Sequence, residues 1–390
     1  MIKNSVLLIN GVPKIDRGAG FLSIQLDKEI KDFKNINCLF ASNRIGIGKF
    51  WKKRKYFNVF LELLKHLFYR INLYVLVYLG IIRIPKFVVL FHQQYIGIKI
   101  CEKIIKKRGR NTFFYLLDSG FFCIRSYNHI NGETNSCIKC LGGKYNNIDA
   151  MGCKPAPIND PYFKTFLINL QSYANDLRVS FLTQNQKQTN LVQSHFGDKV
   201  NVKRIGLWTS DLPKFDNIFR IRQKIFDEKY ILYHGAPISP KGVYYSLNLA
   251  EKCSDIKFIF PFDKSEISYS NIPENCEFRA MTWDTGLKNI LMNARIVLVP
   301  SLWSAPIESA LIKSIMLARA VCVVVEETAF SSEINNGIII KLSKNINQGA
   351  QQLRKMYKEK WKPKDEDLNA WLQTHWRNNG FPVKRIINSI

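Results

Sequence analysis

Two stretches of this chain carry residue types that can do chemistry at a useful spacing. The first is Val299-Pro300-Ser301-Leu302-Trp303-Ser304-Ala305-Pro306-Ile307-Glu308-Ser309. The apolar run Ile296 to Val299 stops at Pro300, and Pro306 is well placed to open a helix, where a missing N–H costs nothing. A helix that starts here presents unpaired amides and the positive end of its dipole, a setting suited to a diphosphate. Ser301, Trp303, Ile307, Ser309 and Lys313 would surround such a group, and Glu308 would face hydroxyls. The second stretch, Ile231-Leu232-Tyr233-His234-Gly235-Ala236-Pro237-Ile238-Ser239-Pro240-Lys241-Gly242, ends another apolar run. Lys241 and Gly242 close it, in a turn with Pro240. Plainer readings stay open: an ordinary strand-to-helix crossover, a surface lysine in a turn, and a first-turn acid worth about 0.3–1 kcal/mol to its helix.

The first half of the chain holds weaker candidates. Gly18 and Gly20, in Asp16-Arg17-Gly18-Ala19-Gly20, would let backbone approach a ligand, or simply turn the chain. His92 follows the run Phe87 to Phe91 and is a candidate for donor contact or proton transfer; a buried, satisfied histidine is the alternative. Asp118 closes the run Thr112 to Leu117. Cys123, Cys137, Cys140 and Cys153 follow with the spacing C-x13-C-x2-C-x12-C. In a reducing compartment such thiolates predict a structural zinc site, with reduced structural cysteines or an emptied metal site as the alternatives. Cys38, Cys101, Cys253, Cys276 and Cys322 read as ordinary core residues.

These residues need a frame that gathers strand ends. Apolar runs at 6–9, 37–41, 87–91, 112–117, 179–182 and 200–205 alternate with longer helical stretches, and the pattern repeats at 230–233, 257–261, 276–279, 296–299, 321–325 and 338–341. Alternation of this kind predicts α/β architecture: two doubly wound, Rossmann-like domains facing a cleft, with ligands at strand ends. The expected division is 1–205 with a cysteine-bearing insertion at about 119–157, a linker at 206–229, a second domain at 230–375, and a closing segment at 376–390 that could pack back on the first.

The segment from Pro300 to Glu308, with Lys241-Gly242, resembles the donor-site motifs of family 4 glycosyltransferases, which have the GT-B fold. The match is better to a divergent subgroup associated with surface polysaccharides, with a Pro-Ser-Leu-Trp-Ser-x-Pro-Ile-Glu pattern. The two glutamates of the main family fall on Ala305 and Lys313, its arginine falls on Ala236, and only Asp118 remains of a His-Asp strand end. The resemblance implies a nucleotide-sugar donor, a lipid-linked or growing polysaccharide acceptor and retention of configuration. It also implies Lys241 at the donor phosphates, Glu308, His92 and Asp118 as catalytic candidates, and no cofactor for the chemistry itself. Loss of the glutamates leaves a second class open, an inactive accessory protein that binds a glycan, lipid or partner.

Composition narrows the partners. The chain has 390 residues, 46% hydrophobic and 23% charged, and a formal net charge of +26. That field attracts polyanions, but no zinc-finger spacing, RNP-like strand or heptad-linked basic region accompanies it, so nucleic acid is not an expected partner. Val6 to Ile9 is too short for a secretory signal, and the apolar stretch 73–82 falls short of the roughly 20 residues a membrane span needs. A cytoplasmic protein follows. Lys49 to Phe57, then Val59, Phe60, Leu63, Leu64, Leu67 and Phe68 at helical spacing, predict peripheral contact with an anionic membrane surface. The plain alternative is a core-facing helix with a solvated basic face.

Overall fold

The computed structural model describes residues 6–14, 19–40, 54–79, 85–207, 228–324, 331, 333–335, 337–379 and 382–389. Gly18, the basic residues 49–53 and most of the expected linker lie outside the described residues. The chain forms two compact units, one of Met1–Ser126, Lys139–Thr209 and Asn379–Ile390, the other of Tyr127–Ile138 and Ser210–Asn378. The stretch Tyr127–Ile138, expected within the first domain, thus packs with the second unit.

Each unit is built on one six-stranded parallel sheet. The first contains β1 (Val6–Asn10), β2 (Ile36–Phe40), β3 (Phe87–Phe91), β4 (Thr112–Tyr115), β5 (Ser180–Thr183) and β6 (Asn201–Arg204), in the order β2-β1-β3-β4-β5-β6. The second contains β7 (Glu228–Tyr233), β8 (Lys257–Phe260), β9 (Cys276–Phe278), β10 (Ala294–Leu298), β11 (Val321–Val324) and β12 (Ile340–Leu342), in the order β12-β11-β10-β7-β8-β9. Both are the doubly wound α/β sheets expected from the sequence. Every run picked out there overlaps a strand; the central ones are covered on both faces and so read as continuous apolar sequence, whereas the edge strands β6 and β9 are not.

Alternate residues of each strand enter opposite cores. Leu7, Ile9, Val88 and Leu90 pack with Ile104 and Ile105 of the helix Ile98–Arg108 and with Phe166 and Leu170 of the helix Phe163–Asn175. Val6, Leu8, Val89 and Phe91 pack with Leu22 and Leu26 of the helix Ala19–Glu29 and with Val383 and Ile386 of the helix Pro382–Ser389. In the second unit Ile231, Tyr233, Ile296 and Leu298 pack with Val243 and Leu247 of the helix Val243–Lys252 and with Leu353 of the helix Ile346–Lys358.

The strand order reverses between β1 and β3 in the first sheet and between β7 and β10 in the second. At such a reversal the loops leaving neighbouring strands part in opposite directions and leave room for a ligand. The candidate residues Lys241, Ser301 and Glu308 are carried by the loops after β7 and β10, and His92 by the loop after β3.

Candidate functional site

Glycine chemistry brings the two loops of the second sheet together. The His234 N–H donates to the Leu298 carbonyl at 2.8 Å, which extends the β7–β10 pairing. The chain then makes a short 3-10 turn, Ser239–Lys241, and Gly242 follows at φ 72°, ψ 25°. A Cβ at Gly242 would lie 2.0 Å from the Pro300 carbonyl oxygen, so both backbone angle and close approach require glycine. The Leu302 N–H closes the junction on the Pro240 carbonyl at 2.8 Å.

This approach sets Lys241 against Glu308. The Lys241 ammonium donates to Glu308 Oε1 at 2.5 Å, and the Ser301 hydroxyl donates to Oε2 at 2.6 Å. The two charged side chains are 16% and 6% exposed. Burial lowers the Lys241 pKa, but Glu308 and Tyr127 outweigh it and hold the ammonium above its ordinary value. Glu308 is the N-cap of the helix Ser309–Leu317, yet its side chain makes no capping bond, because its oxygens go to Lys241 and Ser301. The arrangement offers a buried cation beside helix amides for an oxyanion, and a carboxylate able to accept from hydroxyls.

Aromatic rings line the pair. Lys241 Nζ lies 5.1 Å from the centre of the Trp303 ring, which meets Tyr127 edge-on at 4.7 Å. The Trp303 indole N–H is buried without an acceptor. Ile307 is buried just before Glu308. One helical turn on, Lys313 Nζ lies 4.4 Å from the centre of the Trp283 ring, which faces the His234 ring in near-parallel planes. His234 Nδ1 is 2.9 Å from Ser314 Oγ. Burial first, and then the Lys313 charge, lower the His234 pKa to about 3.

The stretch Tyr127–Ile138 supplies residues that the sequence did not single out. Asn128 holds Ser304 at two points, Nδ2 donating to Oγ at 3.0 Å and Oδ1 accepting from the N–H at 3.0 Å. His129 bridges the two loops, with Nδ1 3.1 Å from the Leu302 carbonyl and Nε2 3.1 Å from Ser239 Oγ. A carbonyl only accepts, so Nδ1 carries a proton. An asparagine and a histidine between cysteines give no spacing signal, and their partners lie 110 to 176 residues further on.

The first unit holds the remaining candidates. His92 follows β3 at φ 57°, ψ 65°, and its Nε2 is buried without a partner. Burial lowers its pKa to about 4. Gly11 fits against it: a Cβ there would lie 2.6 Å from the His92 carbonyl oxygen. Asp118 accepts from the Gly120 N–H at 2.8 Å and from the Gln94 side chain, and burial raises its pKa to about 6. Gln94, two residues after His92, also donates to Ser126 Oγ at 2.7 Å, so a glutamine links the loops after β3 and β4. Gly20 lies in the first turn of the helix Ala19–Glu29.

The cysteine quartet does not fit a zinc ion. Cys123 is buried in the first unit's core, Cys140 and Cys153 pack against the same core, and Cys137 belongs to the other unit. Among the described residues no group of three or more His, Cys, Asp or Glu could hold a metal ion. Of the other cysteines, Cys101, Cys253 and Cys322 are buried as expected, whereas Cys38 and Cys276 are half-buried.

No protein-family model matches the chain, and no curated protein matches it. Solved structures do. The chain is similar to Anabaena HepE in complex with UDP-glucose, at 10% identity over 98% of each chain with a TM-score of 0.58. It is similar to sucrose-phosphate synthase from Thermosynechococcus elongatus, at 10% identity over 99% of this chain and 94% of that one, TM-score 0.56. A third is WaaG, a glycosyltransferase involved in lipopolysaccharide biosynthesis, at 12% identity over 97% and 98%, TM-score 0.52. At such identities the likeness is one of fold, the GT-B fold with its two Rossmann-like domains.

Proposed function

We propose that the protein is a glycosyltransferase that takes a sugar from a nucleotide-sugar donor and passes it, with retention, to a lipid-linked or growing polysaccharide acceptor. The observation that carries this reading is the buried Lys241–Glu308–Ser301 group at the switch point of the second sheet, beside a helix N-terminus. Lys241, the amides of Ile307, Glu308 and Ser309, and Lys313 supply positive potential for the departing diphosphate; Glu308 accepts from donor hydroxyls. Rate would come from holding donor and acceptor together and from that electrostatic stabilisation. The fold shared with a protein crystallised with UDP-glucose supports a uridine nucleotide as the first donor to try. His92 and Asp118, both with burial-shifted pKa values, are the candidates for proton transfer. The acceptor reading places the protein at the cytoplasmic face of an anionic membrane.

The test is a thermal-shift screen with uridine, guanosine and cytidine diphosphate sugars, because a ligand of the folded state must raise the melting temperature. Sugar transfer to a lipid extract is then measured for the wild type and Glu308→Gln. Binding retained with transfer lost supports the reading; no nucleotide sugar raising the melting temperature would sink it. One observation favours the second reading, a non-catalytic GT-B binding protein: both Glu308 oxygens are already engaged. It predicts donor or glycan binding with no transfer in the wild type.

A further inference from the structure

The helix Tyr56–Tyr74 and the turn Val75–Leu79 that continues it invert the usual amphipathic rule. Phe57, Phe60, Leu64, Leu67 and Phe68 follow helical spacing on one face, and their exposures run from 45% to 71%. The opposite face turns inward through Val59 and Leu73, and Arg70 donates to the Ile96 carbonyl at 2.6 Å. The helix is therefore held to the first unit by its less apolar side. A soluble surface rarely keeps so long an apolar row unless something covers it.

Charge selects what covers it. Glu62 is the single acidic residue between 54 and 79, and Lys65 partly offsets it at 2.9 Å. The neighbouring helix Ile98–Arg108 places Lys103 over the Tyr78 ring at 5.5 Å and Lys107 on the Val77 carbonyl at 2.6 Å. Lys106 beside them is 57% exposed, with the buried Glu102 of the same helix 3.4 Å away. A second copy of a +26 chain would bring like charge against like charge, whereas anionic headgroups match these lysines while acyl chains take the rings. Among the described residues no helix is long and apolar enough to cross a membrane. At 19 residues this one would lie about 28 Å along a surface.

We propose that this face lays the first unit on an anionic lipid bilayer, with the phenyl and leucyl side chains inserted and the lysines of Ile98–Arg108 at headgroup level. The inference names the surface that would serve the acceptor reading above, yet it stands without donor chemistry.

The test is co-sedimentation of the full chain with vesicles of phosphatidylcholine alone or mixed with phosphatidylglycerol. The wild type should pellet with the anionic vesicles only. Phe57→Ser/Phe60→Ser/Phe68→Ser should bind them at least about tenfold more weakly. Lys106→Glu/Lys107→Glu should lose binding severalfold and become less sensitive to salt. Circular dichroism and an unchanged donor-induced thermal shift would show that the variants fold and that donor binding is a separate matter. Wild type that ignores anionic vesicles, or a triple variant that binds as well as wild type, overturns the proposal. A dimer that the triple variant dissociates, without vesicle binding, assigns the face to a second copy and overturns it too.

Discussion

Breaking the Lys241–Glu308 pair from one side should cost far more than removing it whole. Lys241→Met leaves a carboxylate 6% exposed with only the Ser301 hydroxyl, and Glu308→Gln leaves an ammonium 16% exposed facing an amide. A buried pair broken from one side costs about 3–5 kcal/mol. Lys241→Met also removes the cation from the Trp303 ring, a further ~0.5–1 kcal/mol, although its methylene stem is kept. The double variant carries neither stranded charge, so it should cost less than either single, falling short of their sum by at least about 3 kcal/mol. Urea unfolding followed by tryptophan fluorescence reads the right unit, since Trp283, Trp303, Trp361, Trp371 and Trp376, five of the seven tryptophans, belong to it. Costs that add to within about 0.5 kcal/mol would refute the reasoning, because independent sites add and a coupled pair does not.

Two further outcomes follow from the same structure. Asn128→Ala strips Ser304 of both its bonds to that side chain, so nucleotide-sugar binding by calorimetry should weaken about tenfold while the protein loses ~1–3 kcal/mol; unchanged affinity would remove Asn128 from the site's support. For pH, burial lowers His92, His195 and His375 to about 4, and burial together with the Lys313 charge lowers His234 to about 3. The unfolded chain takes those protons near pH 6.5 and the folded chain does not, so this stability is full above about pH 6.5 and is lost as pH falls towards 4. Glu29, raised to about 7 by burial, has the opposite sign: its contribution is full below its unfolded pKa and is lost as pH rises through about 7. Melting temperatures should therefore fall steeply on acidification, and Glu29→Gln should help more at about pH 8 than at about pH 5. A flat profile between about pH 6.5 and 4 contradicts the assignment of neutral buried histidines.

The strands were legible because parallel strands such as Phe87–Phe91 and Ala294–Leu298 are apolar along their whole length. Lys241-Gly242 was legible because turn residues ended such a run, and the structure adds the reason for Gly242, the Pro300 carbonyl against its α-carbon. Three things were hidden. The exposed side of Tyr56–Tyr74 follows from which face of the helix docks, and periodicity alone cannot say which stripe turns inward. The quartet Cys123, Cys137, Cys140 and Cys153 had a metal-like spacing, but spacing does not fix the direction of a side chain, and three of these sulfurs went to a hydrophobic core or its edge. Asn128 and His129 act on residues more than a hundred positions away, which no local pattern encodes.

The charge arrangement also constrains how a phosphate could be received. Lys241 is already bonded to Glu308, so under the proposed function an arriving diphosphate would meet a cation whose field is largely offset, with a carboxylate beside it. Two anions on one ammonium repel, so the carboxylate, with Ser301 already on Oε2, would need a further proton donor for Oε1, such as a sugar hydroxyl. Ala305, where the resemblance predicts a glutamate, is 2% exposed and its N–H bonds to the Trp303 carbonyl at 2.6 Å. Lys313, where it predicts the other, brings positive charge strong enough to help keep His234 neutral. The substitution pattern thus reverses the sign at one position while keeping a single carboxylate, Glu308, next to the phosphate-binding candidate. In such a site the carboxylate would orient Lys241 before the donor arrives and accept from the sugar afterwards, so Glu308→Gln should impair transfer more than it impairs nucleotide binding.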